Sequence, residues 1–277
     1  MRIGDWGRRA ASIAVALLIG GSLDAGQRLQ LVPQSRTVVS LWYRGLPAGV
    51  PRQADLDAIR AAGFTAVTWP VEHVTGAAEL RRMADSAGLK VVIRSTSDPL
   101  TPAMALRADT HVHIAMARTP IALVPALVWR AVAHGARVIS FDAGVSEGTG
   151  LQVTPGQPAR WVAAASGVAR QIGVNATLLD TLSAGPAVRM EQPVADLDVA
   201  LLESPRAWVL VATSLAAAGT APADTYAIMP VGVPPALWLN LFDGSTIGMT
   251  SRPTGARWHI ILGPGDARVY VIDKMQK

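Results

Sequence analysis

The 277-residue chain contains no cysteine. That excludes disulfides, thiolate nucleophiles and cysteine-ligated zinc together, and leaves stability to the core. Charge is also sparse: 16% of residues are Asp, Glu, Lys or Arg, against 50% hydrophobic. A disordered chain has the opposite balance, so a packed fold is expected. The formal charge of +5 is carried mostly by single arginines spread along the chain. Without a basic run, a nucleic-acid partner is not expected. Phosphate-loop and HExxH patterns are absent, and the glycines within 144–150 lack a dinucleotide fingerprint. His111 and His113 are two apart and share one face of a strand, which is how a metal site can begin. No further histidine-rich cluster supports it, so neither a metal nor a cofactor is expected.

What is present begins with a targeting pattern. Arg2, Arg8 and Arg9 precede an apolar run, Ala10–Leu23, and small residues follow in Gly20–Gly26. The run is shorter than the ~20 residues of a membrane span. An export signal over residues 1–26 is expected, giving a secreted or periplasmic protein with no stable membrane span after processing; an uncleaved anchor is the rival. Without Arg2, Arg8, Arg9, Asp5 and Asp24 the net charge is about +4.

From Thr37 the pattern alternates. Thr37–Tyr43, Phe64–Trp69 and Lys90–Ile93 read as buried parallel strands. Asp55–Ala62 and Thr75–Ala87 read as helices stopped by Gly63 and Gly88. His111–Ala117 reads as a fourth strand. Thr119–His134 reads as a helix that Pro125 kinks or delays, and Arg137–Phe141 as a further strand. A long helix over about Ala159–Ser183 closes this half. Successive βαβ units predict a parallel sheet. After Gly185 about eight β-rich runs alternate with Pro and Gly, from Val188–Gln192 to Arg268–Ile272, which predicts an antiparallel sandwich. The expected fold is thus α/β: a partial (β/α) barrel over residues 27–185, then a β-sandwich over 186–277. A complete barrel takes ~250 residues, and only about 150 lie between Thr37 and Gly185.

The order of these segments carries a resemblance. LWYRG at Leu41–Gly45, Val67-Thr68-Trp69-Pro70, WRAVAHGARVISFDAG at Trp129–Gly144 and the terminal DGSTIGMTS and DARVYVID together resemble the clan A glycoside hydrolases, nearest the β-galactosidase type. The resemblance implies a TIM-like barrel, a C-terminal sandwich and hydrolysis of glycosidic bonds. It also implies an Asn-Glu pair after the fourth strand and a second Glu after the seventh. No Asn-Glu dipeptide occurs in this chain, so catalytic residues are not carried over from the family.

Read from the residues, the candidates lie just past strand ends, where parallel α/β folds bind ligands. Asp142 directly ends RVISF, Glu72 follows Trp69-Pro70, and Glu147 lies in the loop after Asp142. These are the candidate catalytic carboxyls, since glycoside hydrolysis usually takes two. Against them stand bland roles: a helix cap for Asp142, solvated loop acids for the others. Trp42, Tyr43 and Trp69 are candidate sugar platforms or ordinary packing residues. Arg44, His73 and Asp98 are candidate binding groups, and Arg94 a partner for Asp98 or Glu72. Trp129, Trp161, Trp208, Trp238 and Trp258 read as core. Two functions follow: a secreted glycoside hydrolase acting on oligosaccharides, or a non-catalytic carbohydrate-binding or assembly protein derived from one. In either, the expected ligand is carbohydrate. An open barrel also exposes edges that a second copy could cover, giving a homo-oligomer.

Overall fold

The computed structural model describes residues 37–43, 50–70, 76–94, 111–116, 119–142, 160–253 and 255–274, with only the backbone at 160 and 161. These residues belong to one compact unit, Ser35–Lys277. The expectations for residues 1–26 lie outside the described residues. Among the described residues no helix is long and apolar enough to cross a membrane.

The first half contains β1 (Val38–Trp42), α1 (Gln53–Ala61), β2 (Ala66–Pro70), α2 (Ala77–Ala87), β3 (Lys90–Arg94), β4 (His111–Ala115), α3 (Val124–Ala133) and β5 (Val138–Asp142). The five strands are all parallel, in the order β3-β2-β1-β5-β4. From β1 to β3 the chain moves one way across the sheet, and from β4 to β5 it moves the same way. Right-handed crossovers then put every helix on one face. The core confirms this placement. Val39, Leu41, Val67, Trp69, Val112, Ile114, Ile139 and Phe141 share one buried cluster with Leu56 and Ile59 of α1, Leu80 of α2 and Val128 and Trp129 of α3. Alternate strand residues belong to the other face, which no described helix covers.

That second face is concave. β3 and β4 are the two edges of the sheet, yet Arg94 Nε donates to His111 Nδ1 at 2.6 Å. In a flat sheet four spacings of about 4.8 Å would hold these strands about 19 Å apart, beyond the joint reach of the side chains. The sheet therefore curls until its edges touch through this pair. Winding is single, as in a (β/α) barrel, and β1 is flanked by β2 and β5 as a barrel's first strand is flanked by its second and last. The described strands do not close a full barrel.

Two helical expectations change in detail. The third begins late: a 3₁₀ turn at Ile121–Leu123 precedes α3, with Pro125 in its first turn, where its missing N–H is harmless. The long helix over Ala159–Ser183 divides instead into α4 (Arg160–Val174) and α5 (Ala176–Leu179). Asn175 leaves helical geometry, with φ −99° and ψ 10°, and its side-chain amide donates to the carbonyl of Gln171 at 2.8 Å, competing with the helical ladder.

From Ser183 onward every regular element described is a strand: β6 (Ser183–Ala184), β7 (Arg189–Met190), β8 (Leu197–Glu203), β9 (Ala207–Ser214), β10 (Ala223–Ile228), β11 (Leu237–Asn240), β12 (Thr246–Gly248), β13 (Thr250–Arg252), β14 (Gly255–Leu262) and β15 (Ala267–Asp273). They form two antiparallel sheets, β12-β11-β15-β9-β8-β6 and β13-β14-β10-β7. Leu210, Tyr270 and Ile272 of the first meet Ala227, Trp258 and Ile260 of the second in one cluster. The opposite face of the six-stranded sheet offers Leu202, Val209, Val211 and Val269 to the cluster that holds α3. The layers are thus parallel sheet, helices, six-stranded sheet and four-stranded sheet. Trp129 ties α3 to α4 and to the turn after β11: it is fully buried, donates to Gln171 of α4 at 3.2 Å and lies 5.4 Å from the Phe242 ring. At the end of α3, His134 bonds Asp198 of β8 at 2.7 Å. That bond raises the imidazole pKa, against the opposing pull of burial.

The β14–β15 turn touches the α/β half closely. Gly265 has φ +78°, and a Cβ there would sit 2.3 Å from the carbonyl oxygen of Ala122. Gly232 also has a positive φ, +99°, but open space around it. Gly265→Ala is expected to cost about 3 kcal/mol, adding a backbone collision to the left-handed strain. Gly232→Ala should cost about 1 kcal/mol from strain alone. Urea unfolding of both variants checks this; equal losses would show that the Ala122 approach is not a close contact.

Candidate functional site

The concave face carries a polar floor. Ser40 of β1, Thr68 of β2 and Ser140 of β5 are fully buried. Their hydroxyl oxygens lie 2.7 Å (Ser40–Thr68), 2.6 Å (Ser40–Ser140) and 2.9 Å (Thr68–Ser140) apart. Each hydroxyl has one proton, so three can close a ring in which each donates once and accepts once. His111 Nε2 meets Ser140 Oγ at 2.6 Å. Arg94 can only donate, so His111 Nδ1 accepts, and the imidazole proton sits on Nε2 and points at Ser140. That tautomer is assigned from the hydrogen-bond pattern. Every strand of the sheet thus gives one side chain to a single hydrogen-bonded layer.

One step toward the carboxyl ends of the strands lies the rim: Trp42 of β1, His113 of β4 and Asp142 of β5. The alternation that turns Ser40 and Ser140 inward does the same for Trp42 and Asp142, two residues on. Ser140 pairs in register with His113, and Asp142 with Ala115. His113 Nε2 is 3.8 Å from Asp142 Oδ2, with the imidazole 6% exposed and the carboxylate 21%. The Trp42 ring stands edge-on to His113, centroids 5.6 Å apart at 80°. Burial lowers the His113 pKa, and the Asp142 charge opposes that in part. Two rim atoms, Trp42 Nε1 and His113 Nδ1, are buried with no hydrogen-bond partner. Few such atoms occur in native structures. The rim thus places an indole beside an imidazole and that imidazole beside a carboxylate. It can bind a group with both donor and acceptor character, or pass a proton between imidazole and carboxylate.

Of the sequence candidates, the structure brings Asp142 and Trp42 together. Tyr43 and Trp69 lie on the opposite, helix-covered face, because each is one residue out of phase with the inward set. Trp69 is fully buried and Tyr43 nearly so, their rings 5.6 Å apart. Neither is a sugar platform. Tyr43 instead fixes the start of α1: its hydroxyl donates to Asp55 at 2.7 Å and accepts from the Arg52 N–H at 2.9 Å. Burial and the Asp55 carboxylate push its pKa up. Arg94 pairs with His111. Glu72, Glu147, Arg44, His73 and Asp98 lie outside the described residues. Trp129, Trp238 and Trp258 are core, while Trp208 is half-buried beneath the Lys274 ammonium.

His113 was visible in the sequence only as half of a weak metal signal. Among the described residues no group of three or more His, Asp or Glu is placed to hold a metal. The floor hydroxyls gave no signal as single residues. Gly144, Ser146 and Gly148 fit the G-x-S-x-G spacing of a nucleophile elbow. The segment that would form such an elbow lies outside the described residues.

No family model and no curated protein matches this chain. Solved structures similar to it are glycoside hydrolases at low identity. One is a GH30 endoxylanase from Clostridium papyrosolvens C71: 7% identity, TM-score 0.40, over 86% of this chain and 97% of that one. An Anoxybacillus α-amylase gives 8% and 0.42, over 81% of this chain and 63% of its own. A putative α-N-acetylgalactosaminidase from Bacillus halodurans C-125 gives 9% and 0.37, over 80% and 62%. Likeness of this degree does not place the chain in a family.

The rim geometry fixes a titration. Followed by histidine NMR, the His113 ring should titrate below the ordinary value of 6.5. In Asp142→Asn it should titrate lower still, since the attraction that favours the imidazolium is gone. A rise in that variant would show that the carboxylate does not face the ring.

Proposed function

We propose that the chain is a glycoside hydrolase-like protein acting on glycosidic bonds of oligosaccharides, with Asp142 as one of its carboxyls. One observation carries this reading: Trp42, His113 and Asp142 meet on the concave face of a singly wound parallel sheet, at the carboxyl ends of its strands. Singly wound (β/α) folds bind substrates at that end. An indole beside a carboxylate suits a sugar, whose ring has an apolar face and whose hydroxyls both donate and accept. Hydrolysis needs a second carboxyl ~5–5.5 Å away for retention or ~6.5–9.5 Å for inversion. Glu72, Glu147 and Asp98 are the candidates, each following a strand that ends at this rim.

A second reading, a non-catalytic carbohydrate-binding protein, is favoured by the shortness of the chain between β3 and β4. Only residues 95–110 separate them. Three more βα units would need on the order of 90 residues at the ~30 per unit of a complete barrel. The segment that would follow a barrel's fourth strand, with its Asn-Glu pair, has no place there.

Purified protein tested on a panel of aryl glycosides separates the two. Turnover that falls about 10³-fold in Asp142→Asn, the scale of a lost acid–base group, supports hydrolysis through this carboxyl. Turnover unchanged in that variant overturns the assignment of Asp142. Sugar affinity without turnover supports the binding reading, and a folded chain with neither overturns both.

A further inference from the structure

Building on the carbohydrate reading, we infer that His113 Nε2 and Asp142 Oδ2 together seat one hydroxyl group of a neutral polyhydroxyl ligand, with the Trp42 indole N–H as a third contact. His113 is then a ligand-binding residue, which neither its sequence position nor any comparison assigns.

The 3.8 Å between His113 Nε2 and Asp142 Oδ2 is too long for a hydrogen bond between them. It suits a single oxygen lying about 2.8 Å from each. A hydroxyl there donates its proton to the carboxylate and accepts from the imidazole Nε2–H. With that proton on Nε2, the buried Nδ1 is a bare acceptor, which agrees with its lack of a partner. The carboxylate has about four acceptor positions, so it can take this bond while keeping others. Nearby, the buried Trp42 Nε1 has no acceptor and needs an oxygen lone pair.

The same three groups reject other ligand classes. A cation would find Asp142 but also an indole N–H that can only donate. The two described side chains here, one imidazole and one carboxylate, are too few ligands to hold a metal alone. An anion would be repelled by the Asp142 carboxylate. A hydroxyl group alone supplies the donor that Asp142 accepts and the lone pairs that His113 and Trp42 need. The floor beneath is already satisfied, since Ser40, Thr68 and Ser140 bond one another and His111. It therefore supplies a rigid base and does not compete for the ligand.

The test titrates the full chain, ¹⁵N-labelled at histidine, with methyl β-glucoside, methyl β-xyloside, methyl α-galactoside and glycerol. At least one glycoside is expected to move the His113 ring nitrogens and leave His134 and His259 unmoved. His113→Phe and Asp142→Asn should each weaken that binding about tenfold or more, the scale of one lost bond to a buried or charged group. Trp42→Phe, which keeps an aromatic wall but loses the N–H, should weaken it less. The titration of the unaltered protein decides the question even where a variant fails to fold. Glycoside binding that leaves His113 unmoved overturns the hydroxyl seat and spares the carbohydrate reading. A glycerol shift at His113 with no glycoside binding supports the seat and overturns the carbohydrate reading. No shift with any of the four overturns both.

Discussion

The structure depends on how five parallel strands fill the inside of their own curl. An eight-stranded barrel leaves an interior just wide enough for large branched side chains. Five strands drawn together until Arg94 reaches His111 enclose far less. Only small inward residues fit, and the chain supplies Ser40, Ala66, Thr68 and Ser140, all fully buried. Hydroxyls in so confined a space must bond one another, because each left unsatisfied would cost about 1–3 kcal/mol. The ring they form, with His111 bonded to it, fits the curl that the narrow sheet requires.

The site follows from that floor. The inward residues below the strand ends bond one another, so among the described residues the polar atoms left without a partner on this face lie at the rim. The rim residues are those in phase with the floor: Trp42 above Ser40, Asp142 above Ser140, His113 above His111. The same phase rule sends Tyr43 and Trp69 into the helix-packed core. Single winding keeps the described helices off this face, while the six-stranded sheet is buried against α3 on the far side of the helices.

Much of the fold was legible because its signals are local. Strand runs such as RVISF, glycine stops at Gly63, Gly88 and Gly135, and the delayed start at Pro125 follow from propensity and periodicity. The strand-rich segments after Gly185 were legible for the same reason, although Thr246–Thr250 divides between β12 and β13 in different sheets. Asp142 was legible as an acid at the end of a buried strand. For Tyr43 the sequence left platform and packing open, because its neighbour Trp42 is aromatic too: composition marked both, and only the strict alternation of a strand separates them. The hydroxyl ring was not legible, since its members lie 28 to 100 residues apart and become neighbours only once the order of strands is known. His113 shared that fate, its partner Asp142 lying on the adjacent strand.

Two histidines of the α/β half respond to pH in opposite senses. His113 has a pKa lowered in the folded chain, so below about 6.5 the unfolded chain binds more protons and stability falls as pH falls. His134 has a pKa raised by Asp198, so its contribution is complete below about 6.5 and is lost as pH rises through its folded value. One residue penalises acid and the other penalises base. Their contributions bend in opposite directions on either side of the ordinary imidazole value, one through burial of the ring and the other through its pairing with Asp198.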